Sequence, residues 1–129
     1  MRPLLLRSED PPADEVVVVR AGVLNRDDAM RAARRAYGET GILALSVFAA
    51  LDQGVDDLCH DDPDLARYRQ IRTTTFGRLR RAGFALLPTF ARPHYDIALP
   101  DLSDDTLDRL EDCFDAPGLN PGVGSVPLS

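Results

Sequence analysis

Four short strand-like runs, Val16–Val19, Ile42–Phe48, Phe84–Leu87 and His94–Leu99, alternate with segments whose apolar residues recur at helical spacing. Apolar runs this short suit strands better than helices, and the Val-rich first run has the β-branched composition of a buried one. Helical signals separate them. Asn25 stands as an N-cap with Asp28 three residues on, and Ala29, Met30, Ala33, Ala36 and Tyr37 follow on one face up to a stop at Gly38. Asp62-Pro63 reads as an N-cap followed by proline at the first helical position, which predicts a short helix over 63–69. Thr73, Thr74 and Thr75 form either an extended edge or a cap cluster. A further helix is predicted from Phe76 to a stop at Gly83, and Phe84–Leu87 with His94–Leu99 forms a hairpin around Pro88–Pro93. Ser103 opens a last helix that faces inward through Leu107, Leu110 and Phe114.

This order predicts an α+β fold: a single domain with about four strands in one sheet packed against three to four helices. A chain of 129 residues has room for one modest core, here built from Leu, Val, Ile and Ala, since Trp is absent. Residues 1–14, with three prolines, are read as a flexible N-terminal arm. Residues 15–115 form the domain, and the Pro- and Gly-rich stretch 116–129 is read as a flexible tail. No apolar run approaches the length of a membrane span, and Cys59 and Cys113 lie far apart without a CxxC partner. The expectation is a soluble cytoplasmic protein with two free thiols and no membrane partner.

Charge is unevenly distributed. From Leu65 to Tyr95 there are seven Arg and no acid, a local charge of +7, while the remaining residues carry eight Arg against 21 acids, or −13. Every basic side chain is Arg, which suits bidentate recognition of phosphate or carboxylate but which codon bias also produces; codon bias does not, however, remove acids from one segment. The stripe of Arg67, Arg69, Arg72, Arg78, Arg80, Arg81 and Arg92, with Thr74 among its hydroxyls and Tyr68 as a stacking ring, is a candidate surface for phosphates or nucleic acid. The competing reading pairs these arginines with the acids of the same chain or of a protein partner.

Arg92-Pro93-His94-Tyr95 places an imidazole and a phenol at the start of a strand beside that stripe. His94 as general acid or base, Arg72 as stabiliser of a pentacoordinate phosphate and Tyr95 as orienting or donating phenol would suit metal-independent RNA cleavage. The acids Asp52, Asp56, Asp57, Asp61, Asp62 and Asp64 surround Cys59 and His60, but at neither a zinc nor a calcium-loop spacing, so no metal is expected and the cluster reads as a solvated face with helix caps. No Walker loop, GxSxG elbow, HExxH or GxGxxG is present, and no cofactor is expected.

Val19-Arg20-Ala21-Gly22 followed by Leu45-Ser46-Val47-Phe48 resembles the opening of the arginine-serine-glutamate class of ADP-ribosyltransferases. That resemblance implies a strand-borne Arg20 and a later Ser46 holding a nicotinamide dinucleotide. The family's Ser-Thr-Ser sequence is missing, since Val47 follows Ser46, and the only later Glu is Glu111.

Two function classes follow. In the first, residues 67–95 bind a phosphate-bearing ligand, RNA above all, as a ribonuclease or the toxin-like component of a toxin-antitoxin pair. In the second, the chain is a non-catalytic protein-interaction module or homodimer.

Overall fold

The computed structural model describes residues 3–122. Its element order is β1 (Val17–Ala21), α1 (Arg26–Thr40), β2 (Ala44–Ala49), α2 (Val55–Asp61), α3 (Pro63–Ala66), β3 (Gln70–Thr75), α4 (Phe76–Arg81), β4 (Ala85–Pro88), β5 (His94–Ala98), α5 (Asp104–Asp112) and β6 (Gly118–Leu119). The strands form one antiparallel sheet in the order β4-β5-β2-β1-β3-β6. The α+β class holds, but the sheet has six strands rather than about four, and there are five helices among the described residues.

Both extra strands lack an apolar signature. β3 reads Gln-Ile-Arg-Thr-Thr-Thr, and its Arg72 and Thr74 are buried because the C-terminal end of α5 supplies acceptors. The last carbonyls of a helix have no intrahelical donor, and they attract cations and hydroxyls. Arg72 donates to the carbonyls of Glu111 and Phe114, and the Thr74 hydroxyl donates to that of Cys113 at 2.6 Å. β6 comes from the stretch read as a tail and pairs with Gln70 and Ile71, while Asn120 beside it is fully buried and donates to the carbonyls of Leu65 and Tyr68. Residues 123–129 of that stretch lie outside the described residues.

Alternation along β1 divides the core. Val18 faces the side covered by α1, α4 and α5, with Leu45, Val47, Ile97, Leu107 and Leu110, whereas Val19 faces Leu58, Cys59 and Leu65 under α2 and α3. Each fully buried aliphatic side chain contributes about 1.5–3 kcal/mol. Asn25 accepts from the Asp28 amide at the start of α1. That helix runs through Gly38, the expected stop, and ends at Gly41, whose left-handed φ of +82° lets its amide reach the Tyr37 carbonyl.

Two features position the site. β1 and β2 pair only at Val18↔Ala49 and Val19↔Phe48, although β1 continues along β3 to Ala21 and β2 continues along β5 back to Ala44. Beyond Val19 the two strands part. The N-terminal segment, in turn, runs along the β4–β5 connection: the amides of Arg7 and Phe90 donate to the carbonyls of Pro88 and Leu5, and the Arg7 guanidinium donates to those of Thr89 and His94, both at 2.7 Å.

Candidate functional site

A cleft of about 450 Å³ lies where β1 and β2 part. Arg20, Ser46, His94 and Asp96 line it from the sheet, Arg35 and Glu39 from α1, and Asp64, Arg67 and Tyr68 from α3 and the turn after it. Its volume suits a small ligand or a nucleotide-sized part of a larger one. A second hollow, lined by Arg69 and Gln70, shares Arg20, Ala21 and Tyr68 with the first, so the two adjoin there as the halves of a trough.

Strand register assembles the polar centre. Ser46 stands opposite Asp96 and Phe48 opposite His94, so all four side chains project from one face. Ser46 Oγ is hydrogen-bonded to His94 Nε2. On the other side of the ring, Nδ1 lies 2.8 Å from Thr89 Oγ1 and 3.2 Å from the Thr89 carbonyl oxygen. The Thr89 hydroxyl donates to Asp96 at 2.8 Å, and both residues are buried. Phe48 and Phe90 stand edge-on to the imidazole at 5.3 and 5.5 Å, which fixes its plane.

The proton positions follow from the partners. A carbonyl oxygen only accepts, and the single Thr89 hydroxyl proton is committed to Asp96, so His94 Nδ1 carries the ring proton. Nε2 is then an acceptor in the neutral ring, and the Ser46 hydroxyl donates to it.

Arg20 supplies the charge. Its Nη1 donates to the Ser46 carbonyl at 2.7 Å, the acceptor left without a β1 amide where the strands part. Burial lowers the Arg20 pKa from its ordinary value, with Tyr68, Asp28 and Asp96 opposing that shift from a distance. A guanidinium stays protonated in any case, so this is a half-desolvated cation without a carboxylate in contact among the described residues.

The residues expected from the sequence are distributed differently. His94 and Arg67 line the cleft, with the Arg67 guanidinium 5.3 Å from the Tyr68 ring centroid, and Arg69 lines the adjoining hollow. Arg72 is 7% exposed and spends its donors inside the fold. Tyr95 follows His94 in the strand and so projects from the opposite face, where it is 1% exposed and donates to Glu9; burial pushes its pKa up to about 12. Thr74 is buried against Cys113. Arg78 pairs with Asp115 at 2.8 Å, Arg80 with Asp14 and Arg92 with Asp52 at 2.7 Å, while Arg81 is exposed on α4. Of the stripe, Arg72, Arg78, Arg80, Arg81 and Arg92 are thus not among the residues lining the cleft with His94.

Ser46, Asp96, Arg20 and Arg35 line the cleft and Thr89 is buried behind His94, and the stripe predicted none of them. Arg20 and Ser46 were named only through the transferase resemblance, and the signal for Asp96 was strand alternation in His94-Tyr95-Asp96, which puts the imidazole and the carboxylate on one face.

The other flagged residues have local roles. Asp62 caps α3, His60 contacts Asp61 at 3.2 Å, and Cys59 is buried in the core, which pushes its thiol up to about 11. Glu111 contacts Arg72 at 3.3 Å, away from Ser46, so the acid needed for the transferase resemblance is not at the Arg20–Ser46 contact. Among the described residues no helix is long and apolar enough to cross a membrane. No protein-family model matches the chain, and no curated protein or solved structure shows significant similarity to it.

Proposed function

We propose that the trough binds a phosphate-bearing ligand, single-stranded RNA by preference, and that His94 acts there as the acid-base group of a metal-independent ribonuclease. One observation carries this reading. Arg20, Arg34, Arg35, Arg67, Arg69 and Arg81 are the described arginines that form no ion pair among the described residues, and four of them, Arg20, Arg35, Arg67 and Arg69, line the trough. Unpaired guanidinium forks around an imidazole suit a phosphodiester, whose two non-bridging oxygens accept bidentate bonds. Tyr68, 38% exposed between the two halves, offers a ring for a base. Glu39, Asp64 and the acidic remainder of the chain disfavour long duplexes and restrict contact to this face. A small nuclease of this kind would suit a toxin-like role.

A protein-docking module is the second reading, favoured by the ion pairs that occupy Arg78, Arg80 and Arg92. A labelled RNA pool separates the two. The native chain is expected to bind and cleave it. His94→Gln is expected to retain binding and to cleave roughly 100-fold or more slowly. No binding and no cleavage by the folded native chain would contradict the nuclease reading and leave the docking module.

A further inference from the structure

The hydrogen-bond chain at the cleft does more than hold an imidazole. We propose that Ser46 is a nucleophile, activated by His94 and positioned through Thr89 and Asp96, so that cleavage proceeds through a phosphoseryl intermediate rather than through attack by the substrate's own 2′-hydroxyl. This proposal rests on the reading of the cleft as a phosphodiester site and names the group that attacks.

The arrangement has the parts that serine activation requires: a hydroxyl, a base accepting from it, and a third group fixing the base's tautomer. Ser46 Oγ–H donates to His94 Nε2, and Nδ1–H is held by Thr89, whose own proton is held by buried Asp96. Thr89 is fully buried and the ring is bracketed by Phe48 and Phe90, so the imidazole is oriented before any ligand arrives. Ser46 and His94 both line the cleft, which leaves the hydroxyl within reach of a bound ligand. The Arg20 guanidinium donates to the backbone carbonyl of Ser46 and lines the same cleft, so a cation stands at the backbone of the attacking residue.

The step balances without metal or redox partner. Ser46 Oγ forms a bond to phosphorus as its proton passes to His94 Nε2. The bond from phosphorus to the leaving oxygen breaks, and that oxygen takes the proton from the imidazolium. Water then attacks the phosphoserine, giving its proton to Nε2, and Ser46 leaves and recovers it. Thr89 and Asp96 are positioning residues: Thr89 touches the ring, and Asp96 acts on the ring only through Thr89.

Two measurements on the full chain test the assignment. The first compares an all-ribo oligonucleotide with one whose sugars are 2′-deoxy, because the internal route needs the 2′-hydroxyl and the serine route does not. Cleavage of both, lost in Ser46→Ala, is expected; cleavage of the ribo strand alone, undiminished in Ser46→Ala, would overturn the proposal while leaving the ribonuclease reading intact. The second needs no nucleic acid. Diisopropyl fluorophosphate should place one adduct on Ser46 with loss of fluoride, read by intact mass. The rate should rise with pH through one ionisation, fall by roughly 100-fold in His94→Gln, and show an altered pH profile in Thr89→Val and Asp96→Asn. Labelling without RNA binding would support the nucleophile and remove the RNA reading. Labelling no faster than in folded Ser46→Ala would overturn the nucleophile.

Discussion

Arg20 and Arg72 face each other across the β1–β3 ladder, yet the fold treats them in opposite ways. Arg72 engages its five N–H donors: with Asp115, Leu24, Glu111 and Phe114 carbonyls at 2.7, 2.9, 3.3 and 3.1 Å, and with the Glu111 carboxylate at 3.3 Å. Arg20 makes one such bond, to Ser46. The difference lies in what sits over each. The C-terminal end of α5 closes over Arg72 with acceptors that need a donor, whereas β1 and β2 part beside Arg20 and leave a cleft. A buried arginine is thus evidence of function only after its donors have been counted.

The comparison can be broken at its larger end first. Arg72→Leu strands several buried carbonyls and the end of α5, and it is expected to cost about 3 kcal/mol or more of stability. Urea unfolding checks this. Arg20→Leu gives up one hydrogen bond, about 1 kcal/mol, and is expected to stay folded while losing RNA affinity. Equal destabilisation by the two substitutions would show that Arg20 is structural as well.

A finer test uses salt. If Arg20 and Arg67 each neutralise a phosphate, removing either should lower the slope of log affinity against log salt by about 0.7 for a single strand. Arg78→Ala and Arg80→Ala, whose side chains are already paired with Asp115 and Asp14, should leave the slope unchanged.

The smallest effect concerns the α5 side of the fold. Hydrogen bonds from the Thr106 and Ser103 side chains and the Ser103 amide hold Asp101 down to about 2 from its ordinary 3.8. A carboxylate with a lowered folded-state pKa adds stability that is present above 3.8 and is lost as pH falls towards 2. Asp101→Asn should therefore flatten the pH dependence of unfolding in that window and leave it unchanged at neutral pH.

The sequence made the hairpin of β4 and β5 legible, because its runs are apolar and bounded by turn residues, and it made α1 legible through its cap and period. It left β3 half-read: Thr73–Thr75 stood open between an extended edge and a cap cluster, and a strand that buries Arg72 and Thr74 has no apolar pattern until the acceptors at the end of α5 are known. It hid β6 for a similar reason: Asn120 anchors that edge by hydrogen bonds to Leu65 and Tyr68, a long-range match that composition does not encode. His94 stood out as an ionisable group. Ser46 reaches the ring through the register of β2 against β5, and Thr89, which links the ring to Asp96, comes from the β4–β5 connection.

On the proposed function, ligand binding belongs to the cleft where β1 and β2 part and not to the arginine-rich stripe as a whole. Fluorescence anisotropy of a labelled single-stranded RNA against Arg20→Ala and against the double variant Arg78→Ala with Arg80→Ala tests it most directly. The account predicts that Arg20→Ala loses most of the affinity and the double variant keeps it; the reverse pattern would contradict it.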